Sequence, residues 1–264
     1  MKAIVLTSTM RRHCFVANRL GQVVDVVGVW QEAKSFQPLS YASTPADAAI
    51  IERHFDARQS SEDEFFAGHE TARGPVRAIA PGGCNDPDEI EAMSAARPDV
   101  VLVFGTGLLK RPLLARFPDR VLNIHLGLSP YYRGAGTNFW PLVNGEPEYC
   151  GATVHFMDEG VDSGPIIEHV RPEIEPGDGP HEIGNKTIVA AVEALGRAAL
   201  ALGRGRVPST LLGADGRVYR RSDFSADAVR RLYENFERGM IAEYLAQRSA
   251  RDAALTLVTM GMPS

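Results

Sequence analysis

The chain has 264 residues, 44% of them hydrophobic and 23% charged, with a formal net charge of −5 at pH 7. That length fills one large α/β domain or an ordinary domain with an appendage, and the balance of apolar and charged residues is that of a soluble globular protein with no need of metal or disulfide support. The negative balance gives nucleic acid and acidic membranes no global attraction, and no stretch reaches the roughly 20 apolar residues of a membrane helix.

Cys14, Cys84 and Cys150 are too widely spaced for a zinc framework or a redox pair, which fits a reducing, cytoplasmic setting and no bound metal. The apolar run at 1–7 meets polar Ser8, Thr9 and Arg11 too early for the core of a signal peptide. In chain order, β-branched runs at 2–7 and 23–30 flank a helical stretch at 10–20, predicting a β-α-β opening on a parallel sheet. The polar segment 31–75 reads as a partly helical insertion with two weak helical pieces, 45–55 and 61–67. Short strands at 77–80, 100–104 and 121–124 alternate with helices at 86–97 and 110–117. Further strands at 152–157 and 166–174 precede a long amphipathic helix at 181–202 that Gly203 and Gly205 end. A turn signal, Ala214-Asp215-Gly216, then leads through 217–220 to a helical pattern at 226–247.

These elements predict an α/β fold over residues 1–203: a Rossmann-like, mostly parallel twisted sheet with helices on both faces. Residues 204–264 form a small α+β C-terminal extension, a hairpin and helix. Its Tyr233, Phe236, Met240, Ile241 and Tyr244 have helical spacing, which suits either core packing or a homodimer surface.

The chemistry concentrates in two segments, VLNIHLGLSPYYRG at 121–134 and GATVHFMDEGVDSGP at 151–165. Residues two apart on a strand share a face, so Asn123 and His125 project together while Ile124 turns away. The Gly/Pro/Tyr-rich loop after them marks the carboxyl end of a strand, where open parallel sheets bind ligands. Asp162 lies in a Gly-rich loop beyond the next strand, able to return to the same edge and meet the imidazole. An amide, an imidazole and a carboxylate at one edge supply donors for an oxyanion and a route for protons. Taken alone, Asn-x-His at a strand end is more often structural, and His155 reads as a hydrogen-bonded histidine of the pocket wall.

In order, Asn-x-His, Ser-Pro-x-Tyr-Arg-Gly, Gly-x-Thr-Val-His and Val-Asp-Ser-Gly-Pro-Ile resemble the formyltransferase family of glycinamide ribonucleotide, methionyl-tRNA and nucleotide-sugar N-formyltransferases. The resemblance extends less strictly over 2–202 and implies that Asn123, His125 and Asp162 occupy catalytic positions. It implies 10-formyltetrahydrofolate as co-substrate, its pterin held largely by backbone of Gly105, Thr106, Gly107, Leu108 and Leu109 and of the loop Met157, Asp158, Glu159, Gly160 and Val161. Here Leu128-Ser129-Pro130 stands where the family usually has two leucines before the proline.

The acceptor is narrowed by contrast. Thr7-Ser-Thr-Met-Arg-Arg-His13 replaces the glycine-rich phosphate turn of the glycinamide enzymes, and a basic surface and large nucleic-acid-binding domain suited to tRNA are lacking. This leaves a small-molecule amine, a nucleotide-linked amino sugar or an amino-acid derivative, with Arg11, Arg12, Tyr132 and Arg133 as candidate substrate contacts. The same trio would also serve a 10-formyltetrahydrofolate hydrolase, in which water takes the place of the amine. A non-catalytic folate or metabolite binder is the third class.

Overall fold

The computed structural model describes residues 1–33, 37–160, 162–205, 207–213 and 216–261. It opens with β1 (Lys2–Ser8), α1 (Arg11–Leu20) and β2 (Asp25–Glu32), a parallel β-α-β unit. There follow α2 (Pro45–Phe65), β3 (Val76–Ile79), α3 (Pro87–Ala95), β4 (Val100–Val103), α4 (Arg111–Arg116) and β5 (Val121–His125). The second half contains β6 (Tyr132–Gly134), α5 (Trp140–Val143), β7 (Ala152–Phe156), β8 (Ile166–Val170) and α6 (Pro180–Gly203). It ends with β9 (Arg217–Tyr219), α7 (Ala226–Glu237) and α8 (Met240–Ala253).

Seven strands form one sheet in the order β3-β2-β1-β4-β5-β7-β8. The pairs from β3 to β5 are parallel, whereas β7 and β8 run antiparallel. The expected α/β architecture is therefore present. Strand order reverses between β1 and β4, the switch point beside which ligand crevices open at strand carboxyl ends. Alternation along each strand feeds two cores. Ala3, Val5, Leu102, Leu122 and Ile124 pack with Leu20 of α1 and Leu195 of α6 on one face. Ile4, Leu6, Val101 and Val103 pack with Met93 of α3 and Leu113 of α4 on the other. Each large aliphatic so buried contributes roughly 1.5–3 kcal/mol, so the two layers fix the register of β4 and β5 firmly.

The insertion differs from its reading as two pieces: α2 is one helix of 21 residues. Thr44 caps it by accepting the Asp47 amide, and the polar middle is carried by the i,i+4 pairs Arg58–Glu62 and Gln59–Asp63. The C-terminal helical pattern is conversely two helices, broken at Gly239 with φ +85°. A side chain there is strained, so Gly239→Ala is expected to cost about 1–2 kcal/mol, read as a lower urea midpoint at unchanged slope. An unshifted midpoint would contradict the strain.

The expected turn at Ala214-Asp215 lies outside the described residues. Among the described residues β9 pairs with β6, in parallel, rather than with a hairpin mate beside it. The aromatic stripe of the extension is spent internally. Met240, Ile241 and Tyr244 are buried against Tyr132, Trp140, Leu142 and Ile183, with Tyr233 and Phe236 packed at the margin, the core-packing use of the stripe. No helix among the described residues is long and apolar enough to cross a membrane.

Candidate active site

Because Leu122 and Ile124 are drawn into the core under α6, Asn123 and His125 emerge together on the opposite face of β5. The antiparallel β7 sets Asn123 opposite His155 and His125 opposite Thr153. Asn123 Nδ2 donates to His155 Nε2 at 3.0 Å, while His155 Nδ1 donates to the Phe156 carbonyl at 2.8 Å. His155 is thereby fixed in one neutral tautomer, and burial, helped by the neighbouring His125, holds its pKa below the usual imidazole range. One amide hydrogen of Asn123 is engaged this way, and the side chain lines the cavity described below.

His125 is clamped from both sides. Its Nδ1 lies 3.1 Å from Asp162 Oδ2, and its Nε2 donates to the Tyr132 carbonyl at 3.0 Å. Asp162 Oδ2 also accepts the Gly134 amide at 3.2 Å. Burial alone raises the Asp162 carboxyl, but the His125 hydrogen bond and charge, the nearby His155 and the Gly134 amide outweigh it and hold the group below the usual carboxylate range. Asp162 adopts φ +49°, uncommon for a non-glycine residue and the type of backbone cost found where surrounding structure holds a functional side chain in place.

Asn123, His125 and Asp162 line one cavity of about 580 Å³, within the range of small-molecule sites. Gly105, Thr106, Gly107, Leu108, Met157 and Gly160 line it as well. Gly105 has φ +76°, and a Cβ there would lie 2.3 Å from His13 Nε2, so this position in the lining admits no side chain. Of the other expected folate contacts, Leu109 is buried in the α3/α4 core. Asp158 caps its own loop through Gly160 and Ser163, and Glu159 stands 3.7 Å from Arg111. Val161 lies outside the described residues.

The expected acceptor contacts separate. Arg12 lines the cavity, but its guanidinium is buried and donates to both oxygens of Glu62 at 2.6 and 2.8 Å. Burial, then the charge of Arg58, lower its pKa to about 10. Arg11 instead pairs with Asp63 at 2.9 Å and Glu70 at 3.5 Å, away from the cavity lining. The Tyr132 hydroxyl donates to Glu146 and accepts from Asn144, so its side chain is sealed inside and only its carbonyl meets His125. Arg133 is half-buried and does not line the cavity.

Two sets of contacts escape sequence reasoning. His155 is the hydrogen-bonded histidine the sequence suggests, but its partnership with Asn123 depends on the antiparallel register of β7. The second set, His54, Arg58, His181 and Arg221, joins the lining from α2, α6 and the C-terminal extension. The only local signal was the 4-residue spacing of His54, Arg58 and Glu62 on one helical face. His155→Phe keeps the volume and removes the acceptor for Asn123, and kcat is expected to fall about 10- to 100-fold with KM little changed. Restoration by His155→Gln, or no loss in His155→Phe, separates positioning from packing. Among the described residues no cluster of three or more His, Cys, Asp or Glu side chains is arranged to hold a metal.

Comparison with known proteins places the chain among formyltransferases. Methionyl-tRNA formyltransferase of Trichlorobacter lovleyi is 34% identical over 150 residues, covering 53% of this chain and 47% of that protein. The enzyme of the same name from a Synechococcus species is 32% identical over 123 residues, 46% of this chain and 38% of that protein. The chain thus spans about half the length, or less, of the curated relatives it matches. Among solved structures, a sugar N-formyltransferase of a Shewanella species superposes with a TM-score of 0.56 at 17% identity, covering 85% of this chain and 78% of that one. Phosphoribosylglycinamide formyltransferase of Anaplasma phagocytophilum gives 0.55 at 14% identity, covering 84% and 98%. These likenesses show the shared fold. The formyl transferase family model matches residues 1–199, which hold all seven strands of the main sheet and every residue of the trio, and the chain belongs to that family.

Proposed function

We propose that the chain is an N-formyltransferase that moves the formyl group of 10-formyltetrahydrofolate to the amine of a small metabolite, a nucleotide-linked amino sugar or an amino-acid derivative. The observation that carries this reading is the meeting of Asn123, His125 and Asp162 in one cavity beside the backbone strip Gly105–Gly107. The co-substrate supplies an activated formyl carbon, and the amine nitrogen forms the new C–N bond as the bond to N10 breaks. The chain's part is to hold a carbonyl oxygen while it carries negative charge and to move protons off the amine.

Asn123 presents its second amide hydrogen to that oxygen, its first being spent on His155. Asp162, held ionised, orients His125 through Nδ1, and the Nε2–H is shared between the Tyr132 carbonyl and the developing oxyanion. The proton shed by the amine leaves by water along the Asp162 carboxylate. The cavity is walled by α2 and the C-terminal extension, a frame suited to a small acceptor.

The direct test is incubation with 10-formyltetrahydrofolate and a panel of amino sugars, amino acids and methionyl-tRNA, followed by mass detection of one added formyl unit. A formylated small amine is expected. Formate released at the same rate without any amine would point to hydrolysis, folate binding without turnover to a binding protein, and formylation of the tRNA alone to a macromolecular acceptor.

A further inference from the structure

Part of the cavity wall is built by segments that the trio does not use. α2 contributes His54, Arg58 and Glu62, the first turns of α6 contribute His181 and Asn185, and the segment before α7 contributes Arg221. These three parts are locked to one another. Arg230 of α7 reaches Asp47 of α2 at 2.6 Å, and Ser61 of α2 donates to Glu182 of α6 at 3.0 Å. Phe224 packs on Phe55 and Phe139 at ring separations of 5.7 and 5.5 Å. Helix α2 of the insertion and the C-terminal extension, with no part in the sheet's seven strands, thus form with the start of α6 one preorganised part of the cavity lining.

The charge of that surface is one-sided. Three guanidiniums, Arg12, Arg58 and Arg221, line the cavity against two carboxylates, Glu62 and Asp162. Glu62 is shared by Arg12 and Arg58, and Asp162 is tied to His125. Among the described residues no carboxylate lies within ion-pairing distance of the exposed Arg221. His54 and His181 add no positive charge, since burial and the neighbouring cations lower them to about 3 and about 4, and both lie beside the Tyr233 hydroxyl at 3.1 and 3.4 Å. Beyond the lining, Glu182 and Asp63 are occupied by Ser61 and Arg11.

We infer that Arg58 and Arg221 form an anion subsite for the acceptor, so that the amine formylated here belongs to a small molecule bearing a phosphate or carboxylate group. Arg58 presents the part of its fork that Glu62 leaves free, and Arg221 supplies a whole one, the donor geometry that tetrahedral and planar oxyanions take. The amine would extend from this subsite toward Asn123 and His125. This assigns the insertion and the extension to acceptor selection, and it rests on the formyl-transfer reading only for what happens to the amine.

Calorimetric titration of the full chain with pyrophosphate and with malonate tests the subsite without turnover. Binding of one or both is expected, the better ligand identifying the oxyanion class, and Arg58→Gln and Arg221→Gln should each weaken it about 10- to 100-fold. Arg58→Lys should recover part of the loss. Arg197→Gln, on α6 and paired with Glu168 outside the cavity, should bind as the parent does. No binding by the parent, unchanged binding by both arginine variants, or equal weakening by Arg197→Gln would overturn the subsite. Formyl transfer to matched amines with and without the anionic group is read separately: anion binding with no amine ever formylated would sink the transfer reading and leave the subsite standing.

Discussion

His125→Ala is expected to lower kcat by roughly 100- to 1000-fold, the usual loss for one well-aimed donor to an oxyanion, while the chain still binds folate. The side chain is 5% exposed and bridges Asp162 to the Tyr132 carbonyl, so its removal takes away the Nε2 donor and the group that Asp162 orients. Asn123→Ala removes the other donor and is expected to fall in the same range. The double variant His125→Ala, Asp162→Asn should lose less than the product of the two single losses, because the carboxylate orients the imidazole as well as taking part in proton release. Single-turnover rates at saturating amine isolate the chemical step. Near-parental turnover in a folded His125→Ala chain, or fully additive losses in the double variant, would remove the assigned roles.

The second large effect is on stability in mild acid. Burial holds His54, His169 and His181 at about 3, about 4 and about 4, against an ordinary value of about 6.5 for an unfolded chain. In the window between about pH 4 and pH 6.5 the unfolded chain therefore binds more protons, so stability rises with pH and is lost as pH falls. The stabilisation is complete above about pH 7. Each histidine then costs about 1.4 kcal/mol at pH 5.5 and more below, out of a typical total of about 5–15 kcal/mol. His169 shows why: its Nδ1 accepts the Val258 amide at 2.9 Å, a bond that protonation of that nitrogen breaks. Urea midpoints at pH 7.5 and 5.5 should differ strongly at similar slope, and His169→Gln should flatten the difference by roughly a third. A flat profile across that window would contradict the neutral burial of these rings.

The parts of the fold and site that were legible from the chain are those governed by short periods. Alternation in 2–7, 100–103 and 121–125 exposes two buried faces directly, and the same period puts Asn123 and His125 side by side. Long-range partners were not legible. The Asn123–His155 bond requires β7 to run against β5, and nothing within 151–157 reveals a strand's direction. The continuity of α2 between its two legible pieces was hidden because its inward face carries His54, Arg58 and Glu62 where an apolar stripe would have announced it. Arg11 and Arg12 are adjacent and alike in the chain, yet helical geometry turns Arg12 inward to Glu62 and leaves Arg11 to Asp63 and Glu70. Tyr132, read from the sequence as a candidate substrate contact, is sealed under the C-terminal helices that follow about a hundred residues later.

The most direct test of the central claim is a crystal structure of the chain with tetrahydrofolate. The pterin is expected against the backbone of Gly105–Gly107, with N10 within about 5 Å of Asn123 Nδ2 and His125 Nε2, the span of a formyl group plus one hydrogen bond. A folate bound outside this cavity, or one whose N10 lies beyond the reach of both side chains, would contradict the claim that these groups act on the transferred carbonyl.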